Sequence, residues 1–143
     1  MSFEHKFNLI NGLNGSGKTN LIDSIHYLCL CKSYFTRSDN NVVKHGEPYF
    51  RVDGFFEMAG KSTQITGKIT GVANSGGTGV KKEFFRDGEP YDRLSDHIGT
   101  IPVVMIAPGD IAIINDGSEE RRRFLDTAIA QVNRECLTRL MHY

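Results

Sequence analysis

Gly12, Gly17, Lys18 and Thr19 are spaced as G-x-x-x-x-G-K-[ST] in "GLNGSGKT", a pattern whose chemistry is the holding of phosphate. Glycines let successive backbone N–H groups converge on phosphate oxygens, and a helix opening near Lys18 adds the positive end of its dipole. Lys18 is expected to reach the β- and γ-phosphates of a nucleotide, and the Thr19 hydroxyl to ligate Mg²⁺. A place between a strand and a helix is the context that confirms the pattern. "KFNLI" ahead of it is a short strand candidate, and Leu21, Ile22, Ile25, Leu28 and Cys29 after it recur as one helix face. A glycine-rich turn that merely joins strand to helix is the plain alternative, which the complete pattern in this context disfavours.

The elements that must position this loop sit in a chain of 143 residues with 39% hydrophobic content and nine Phe, enough for one domain with a real core. Seventeen basic residues balance seventeen acidic ones, so long-range attraction to nucleic acid or membrane is excluded and any DNA contact needs a local patch. Cys29, Cys31 and Cys136 are odd in number and lack CxxC spacing, which argues against a disulfide framework and for a reducing cytoplasm. The start "MSFEHKFNL" has no apolar leader core, and no apolar run approaches membrane-spanning length. The expectation is a soluble, cytoplasmic protein with no membrane partner.

Between Tyr49 and Tyr91 the texture changes to short β-prone runs, "YFRVDGFFEM", "STQITGKIT" and "VKKEFFRDGEPY", punctuated by "AGK" and the Asp87-Gly88 hairpin signal. This predicts an antiparallel meander, with the small-residue stretch 71–79 as a hairpin tip. "IPVVMIAP" is a buried-strand candidate stopped by Pro108. After Gly117 a helix is expected with Ser118 as N-cap, Glu119 and Glu120 in its first turn, and an apolar stripe through Phe124, Leu125, Ala128, Ile129, Val132, Cys136 and Leu140.

A hydrolysing P-loop enzyme also needs an acidic residue at the end of an apolar strand to orient Mg²⁺. Asp110 lies past Pro108 and Gly109 instead of at the end of "VVMIA", and Asp126 sits mid-helix. No catalytic residue is therefore assigned in this chain, which looks like one part of an active site. His26, Cys29 and Cys31 cluster in sequence, but positions 29 and 31 point to different sides of a helix, so packing thiols are expected rather than a metal site. Arg121, Arg122 and Arg123 could touch DNA phosphates, yet with Glu119, Glu120 and Asp126 nearby they read better as a locally paired, solvated face.

"GLNGSGKTNLIDSIHYL" resembles the P-loop and first helix of the ABC-type ATPases of chromosome maintenance, whose subclass form is Gly12-x-Asn14-Gly15-x-Gly17-Lys18-Thr19. "CKSYFTRSD" and "RDGEPYDRLSDHIGTIPVVMIAPGDIAIINDGSEERRRFLD" narrow this to a resemblance to the RecF family of bacterial DNA replication and repair proteins. The fold class so implied is α/β: an ABC-type P-loop NTPase lobe with an added antiparallel β-meander and the start of a helical lobe. Residues 1–117 would be a partial ATP-binding lobe, with the P-loop at 12–19 and the sheet at about 49–91, and 118–143 the first helix of the helical lobe. The resemblance further implies an N-terminal fragment truncated at both ends, since the family adds a strand before the P-loop strand and continues to a signature motif, Walker B and switch histidine.

The implied cofactors are ATP and Mg²⁺, held by Gly12, Asn14, Gly15, Ser16, Gly17, Lys18, Thr19 and Asn20, with Thr19 as the Mg²⁺ ligand. "APGD" stands where the family more often reads "APED". Phe35 stands where the family tends to be basic, which leaves Lys32 and Arg37 to supply positive charge. The implied function is ATP-dependent DNA binding with assistance to recombinase loading at gaps or junctions, in replication, recombination, repair and the SOS response. Recombination mediator proteins and an ATP-dependent homodimer are the implied partners. The longer parent is expected to be a slow DNA-dependent ATPase and this chain alone to be inactive. Two other classes stay open: a transporter-type ABC subunit, against which "RDGEPYDRLSDHIG" lacks the expected glutamine, and a non-hydrolysing nucleotide-gated binding module.

Overall fold

A computed structural model of the chain describes residues 1–3, 6–71, 80–115 and 118–142. Its centre is an antiparallel sheet of β1 (Tyr49–Met58), β2 (Lys61–Thr70), β3 (Lys81–Arg86) and β4 (Glu89–Pro90), in the order β1-β2-β3-β4. The meander expected from the sequence is therefore present. Its two tight turns have the chemistry such turns demand: Ala59 and Gly60 (φ 50° and 75°) join β1 to β2, and Asp87 and Gly88 (φ 53° and 88°) join β3 to β4. Asp87 also ties its turn to β2, its carboxylate accepting the Gln64 N–H at 2.9 Å. The stretch expected to form the β2–β3 hairpin tip, 71–79, lies outside the described residues apart from Gly71.

Strand β1 alternates strictly, turning Tyr49, Arg51, Asp53, Phe55 and Glu57 outward and Phe50, Val52 and Phe56 inward. Against the inner face lies α1 (Lys18–Leu30), and the two halves of this helix differ. Residues 26–30 are buried, whereas the N-terminal turn is not. Tyr27, Leu28, Cys31, Val43, Ile65, Ile69 and Phe84 form one apolar cluster between helix and sheet. Close approach is possible because glycines stand where the helix crosses: a Cβ on Gly54 would come within 2.7 Å of Leu28 Cδ1, and one on Gly67 within 3.2 Å of Tyr27. His97, fully buried, closes the cluster by donating from Nε2 to the Leu28 carbonyl at 2.6 Å, with its ring against Phe84 and Tyr91.

Three expectations need correcting. "KFNLI" forms no strand, and Phe7 and Leu9 are 92% and 90% exposed. "IPVVMIAP" is not a buried strand either: Val104 and Ile106 are 64% and 75% exposed, and it pairs with no strand among the described residues. Both segments have the composition of parallel-sheet strands, but a strand is made by its neighbours, and neither has one among the described residues. Thirdly, the expected long helix after Gly117 is two helices, α3 (Ser118–Ala130) and α4 (Arg134–His142), which follow a short α2 (Ala112–Asn115).

The break comes at Gln131, Val132 and Asn133. Gln131 turns its side-chain amide to Val103, accepting from its N–H at 2.8 Å and donating to its C=O at 3.0 Å. Asn133 then caps α4 by accepting the Cys136 N–H at 3.0 Å. Gly99 (φ 86°) packs beneath this break, where a Cβ would meet the Gln131 carbonyl oxygen at 2.2 Å. Among the described residues no helix is long and apolar enough to cross a membrane.

Candidate phosphate-binding loop

The sheet grips the C-terminal half of α1, so the N-terminal end projects and carries residues 11–17 as an exposed loop. Gly12, Gly15 and Gly17 take φ values of 151°, 83° and 88°, a region that side-chain-bearing residues rarely adopt. The loop is drawn tight by the Ser16 N–H donating to the Leu13 carbonyl at 3.2 Å, and the helix opens with Leu21 N–H donating to Gly17 O at 2.9 Å. Gly17 is the N-cap and offers no side-chain acceptor. The first-turn N–H groups therefore face outward without a capping oxygen, an arrangement suited to an anion. Lys18 folds back over the loop and its Nζ donates to both Gly12 O and Leu13 O at 2.8 Å. The ammonium is thereby held over the loop mouth.

Thr19 and Asn20, exposed on the first turn, line a cavity of about 360 Å³ together with Tyr27, Phe50, Thr36 and Asn41. The Tyr27 hydroxyl is buried and has no hydrogen-bond partner among the described residues, and burial pushes its pKa far above the usual phenol value. Asp23, one turn beyond Thr19, is unavailable to a metal: its Oδ2 accepts from Ser33 Oγ at 2.6 Å and its Oδ1 from Tyr34 N–H at 2.7 Å. Among the described residues no group of three or more His, Cys, Asp or Glu could hold a metal ion. A Mg²⁺ ion fits this loop in the way it usually binds with nucleotides, on one protein hydroxyl plus phosphate oxygens and water.

Lys32 and Arg37 are not brought to that cavity. They line a neighbouring one of about 520 Å³ with His26, Tyr34, Asp110 and Arg123, divided from the first by the shared residues Ser33, Phe35 and Thr36. Asp110 is engaged in the second cavity, where one oxygen accepts from both the Tyr34 hydroxyl and the Ala107 N–H. Arg123 pairs with Glu120 at 3.2 Å and reaches Glu119 at 3.6 Å, so its charge is locally matched. Cys29 and Cys31 are free, buried thiols. Sequence reasoning missed Asp23 and Tyr34. The spacing of Asp23 from Thr19 along α1 was its only signal, while the Tyr34–Asp110 contact joins residues 76 apart and left none.

A family model described as AAA domain matches residues 1–125. Relatives covering the whole chain include the DNA replication and repair protein RecF of Bacteroides fragilis, 41% identical over 144 residues, and that of Cytophaga hutchinsonii, 40% identical over 143 residues. The chain spans 37% and 36% of their lengths. Two solved structures share its fold. The recombination mediator protein RecF-ATP in the RecFOR pathway is 28% identical with a TM-score of 0.80, covering 95% of this chain and 36% of that one. RecF-ATPrS is 27% identical with a TM-score of 0.78, covering 91% and 33%. The α/β P-loop lobe read from the sequence thus matches part of the fold of those proteins, and the chain belongs to the AAA-domain family and is similar to RecF proteins over its whole length.

Proposed function

We propose that residues 12–20 bind the phosphates of ATP with Mg²⁺, and that the chain serves as the nucleotide-binding part of a RecF-like DNA repair ATPase. The observation that carries this is the loop itself: three left-handed glycines, an N-cap with no side-chain acceptor, and the Lys18 ammonium poised above them. Gly15, Gly17, Lys18, Thr19 and Asn20 would present backbone N–H groups, and Asn14 and Ser16 would shape the loop. Thr19 would hold Mg²⁺, which when bound neutralises phosphate charge. Lys18 would exchange its two carbonyl partners for phosphate oxygens, a gain because a charged acceptor makes the stronger hydrogen bond.

The solved RecF structures carry ATP and ATPrS by name, which supports the same ligand class here. In the whole protein we assign ATP-dependent DNA binding, assistance to recombinase loading with mediator partners, ATP-dependent homodimerisation, a role in the SOS response and a cytoplasmic location. Lys32 and Arg37 fall outside the phosphate loop's cavity, which favours DNA over nucleotide as their contact.

Titration calorimetry tests the core of this reading. Lys18→Ala removes a charge-assisted contact of about 1.5–3 kcal/mol, so MgATP affinity should fall by about 10- to 100-fold while the fold persists. Unchanged affinity in a folded variant would remove the assignment. The chain alone should stay monomeric with ATP and release no phosphate above background, since the facing wall and water-orienting carboxylate of such sites are not assigned to any of its residues.

A further inference from the structure

Thr19 and Asp23 share one face of α1, and Asp23 spends both carboxylate oxygens on the segment that follows that helix, accepting from Ser33 Oγ and from Tyr34 N–H. Ser33 Oγ in turn accepts from the Phe35 and Thr36 N–H groups, each at 3.1 Å. Residues 33–36 are therefore bound to the helix that carries the phosphate loop. From this segment Tyr34 reaches across to the chain far beyond it. Its hydroxyl donates to Asp110, whose carboxylate also accepts the Ala107 N–H at the start of the short helical turn Pro108–Ile111. Further along, Arg121 of α3 donates to the Ile113 carbonyl at 3.2 Å. Hydrogen bonds, joined by stretches of covalent backbone, thus connect the helix that carries the phosphate loop through Tyr34 and Asp110 to the approach to α3.

At the start of that chain of contacts, the nucleotide reading gives Lys18 a second arrangement beside the one the structure holds. Lys18 donates to the Gly12 and Leu13 carbonyls and would exchange them for phosphate oxygens, and a ligand shifts an equilibrium only through such a difference. We propose that Tyr34 is a positioning residue that transmits occupancy of the phosphate loop to residues 107–113 through its hydrogen bond to Asp110. This rests on the nucleotide reading above. Burial and the Asp110 carboxylate push the Tyr34 hydroxyl up to about 12, so it remains a donor at neutral pH. The Tyr34 ring packs edge-on against His26 and Phe35, both at 5.3 Å between centroids. Tyr34→Phe therefore deletes the hydroxyl and leaves the packing.

Amide hydrogen exchange on the 143-residue chain, with and without saturating Mg²⁺ and ATP, reads the transmission. In the wild type the amides of 107–113 should exchange about threefold or more slowly with nucleotide bound. Tyr34→Phe should lose that difference while calorimetry shows MgATP affinity within about twofold of wild type. Asp110→Ala should match Tyr34→Phe, the double variant should be no worse than either, and Asp110→Asn, which keeps an acceptor oxygen, should retain the response. A Tyr34→Phe chain that binds ATP and still protects 107–113 overturns the proposal and leaves the nucleotide site standing. A wild-type chain that gives no heat with MgATP overturns both.

Discussion

Two parts of this molecule carry apolar side chains that meet opposite fates. In the sheet, Ile65, Ile69 and Phe84 are at most 1% exposed. In the segments 6–10 and 102–107, Phe7, Leu9, Val104 and Ile106 range from 64% to 92% exposed. Hydrophobicity does not decide which is buried, since the exposed segments are the more apolar of the two; the way each finds a partner does. Antiparallel strands are paired by two-residue turns, so β1 with β2 and β3 with β4 bring their partners with them. Parallel strands need partners delivered by distant crossovers, and among the described residues none reaches either extended segment. Helix α1 straddles the divide, buried where it meets the sheet and exposed where it carries the phosphate loop. Anchoring and binding are thus assigned to different halves of one helix.

The comparison is open to attack by substitution, beginning where the effect is largest. Phe84→Ala opens a cavity under Tyr27 and His97 and should cost about 3–5 kcal/mol, read as a lowered urea midpoint. A cost near zero would mean the sheet is not the seat of stability. Gln131→Leu comes next. It strands the Val103 N–H and C=O, which have this side chain as their substitute for a strand neighbour, and should cost about 1–3 kcal/mol. Should it prove neutral, the extended segment is independent of the helices.

A milder effect follows from the two buried histidines. Burial holds both His97 and His26 below the ordinary histidine value, with their backbone partners, the Leu28 and Lys32 carbonyls, opposing in part. The unfolded chain then binds protons that the folded one refuses. Stability should be level above about pH 6.5 and fall as the pH drops below that value toward the lower folded-state pKa. Urea midpoints across pH 5–8 check this, and His97→Gln should lessen the acid-side decline. The smallest effect belongs to the exposed segments: Phe7→Ala or Val104→Ala should change stability by no more than about 0.5 kcal/mol. A large loss at either would show that these residues are buried after all and erase the contrast.

What could be read from the sequence follows the same divide. Alternation in "YFRVDGFFEM" and the Asp87-Gly88 turn are local signals with local consequences, and the hairpins form where they point. The phosphate-loop pattern is local too, and its glycines take the conformations that their type permits. Signals whose meaning depends on remote partners went astray. "KFNLI" and "VVMIA" have strand composition, but composition cannot state whether a neighbour exists. The stripe from Phe124 to Leu140 suits one helix, yet Gln131 leaves helical geometry while its side chain serves a backbone 28 residues away. Asp110 looked like a misplaced metal ligand until Tyr34 supplied its partner.

The cysteines turn the same architecture into a chemical clock. A thiol reacts as its thiolate, and burial pushes Cys29 up to about 11 and Cys31 up to about 12, even though the Lys82 ammonium near Cys31 pulls the other way. Cys31 is held further by its own backbone, whose carbonyl accepts from Lys82 Nζ at 2.8 Å. Cys136, only half-buried on α4, has no such shelter. In the native chain an alkylating reagent should therefore modify Cys136 at once and wait for the sheet and helix to part before it reaches the other two. The count of adducts against time would then separate loosening of the last helix from opening of the core without any substitution in the sequence.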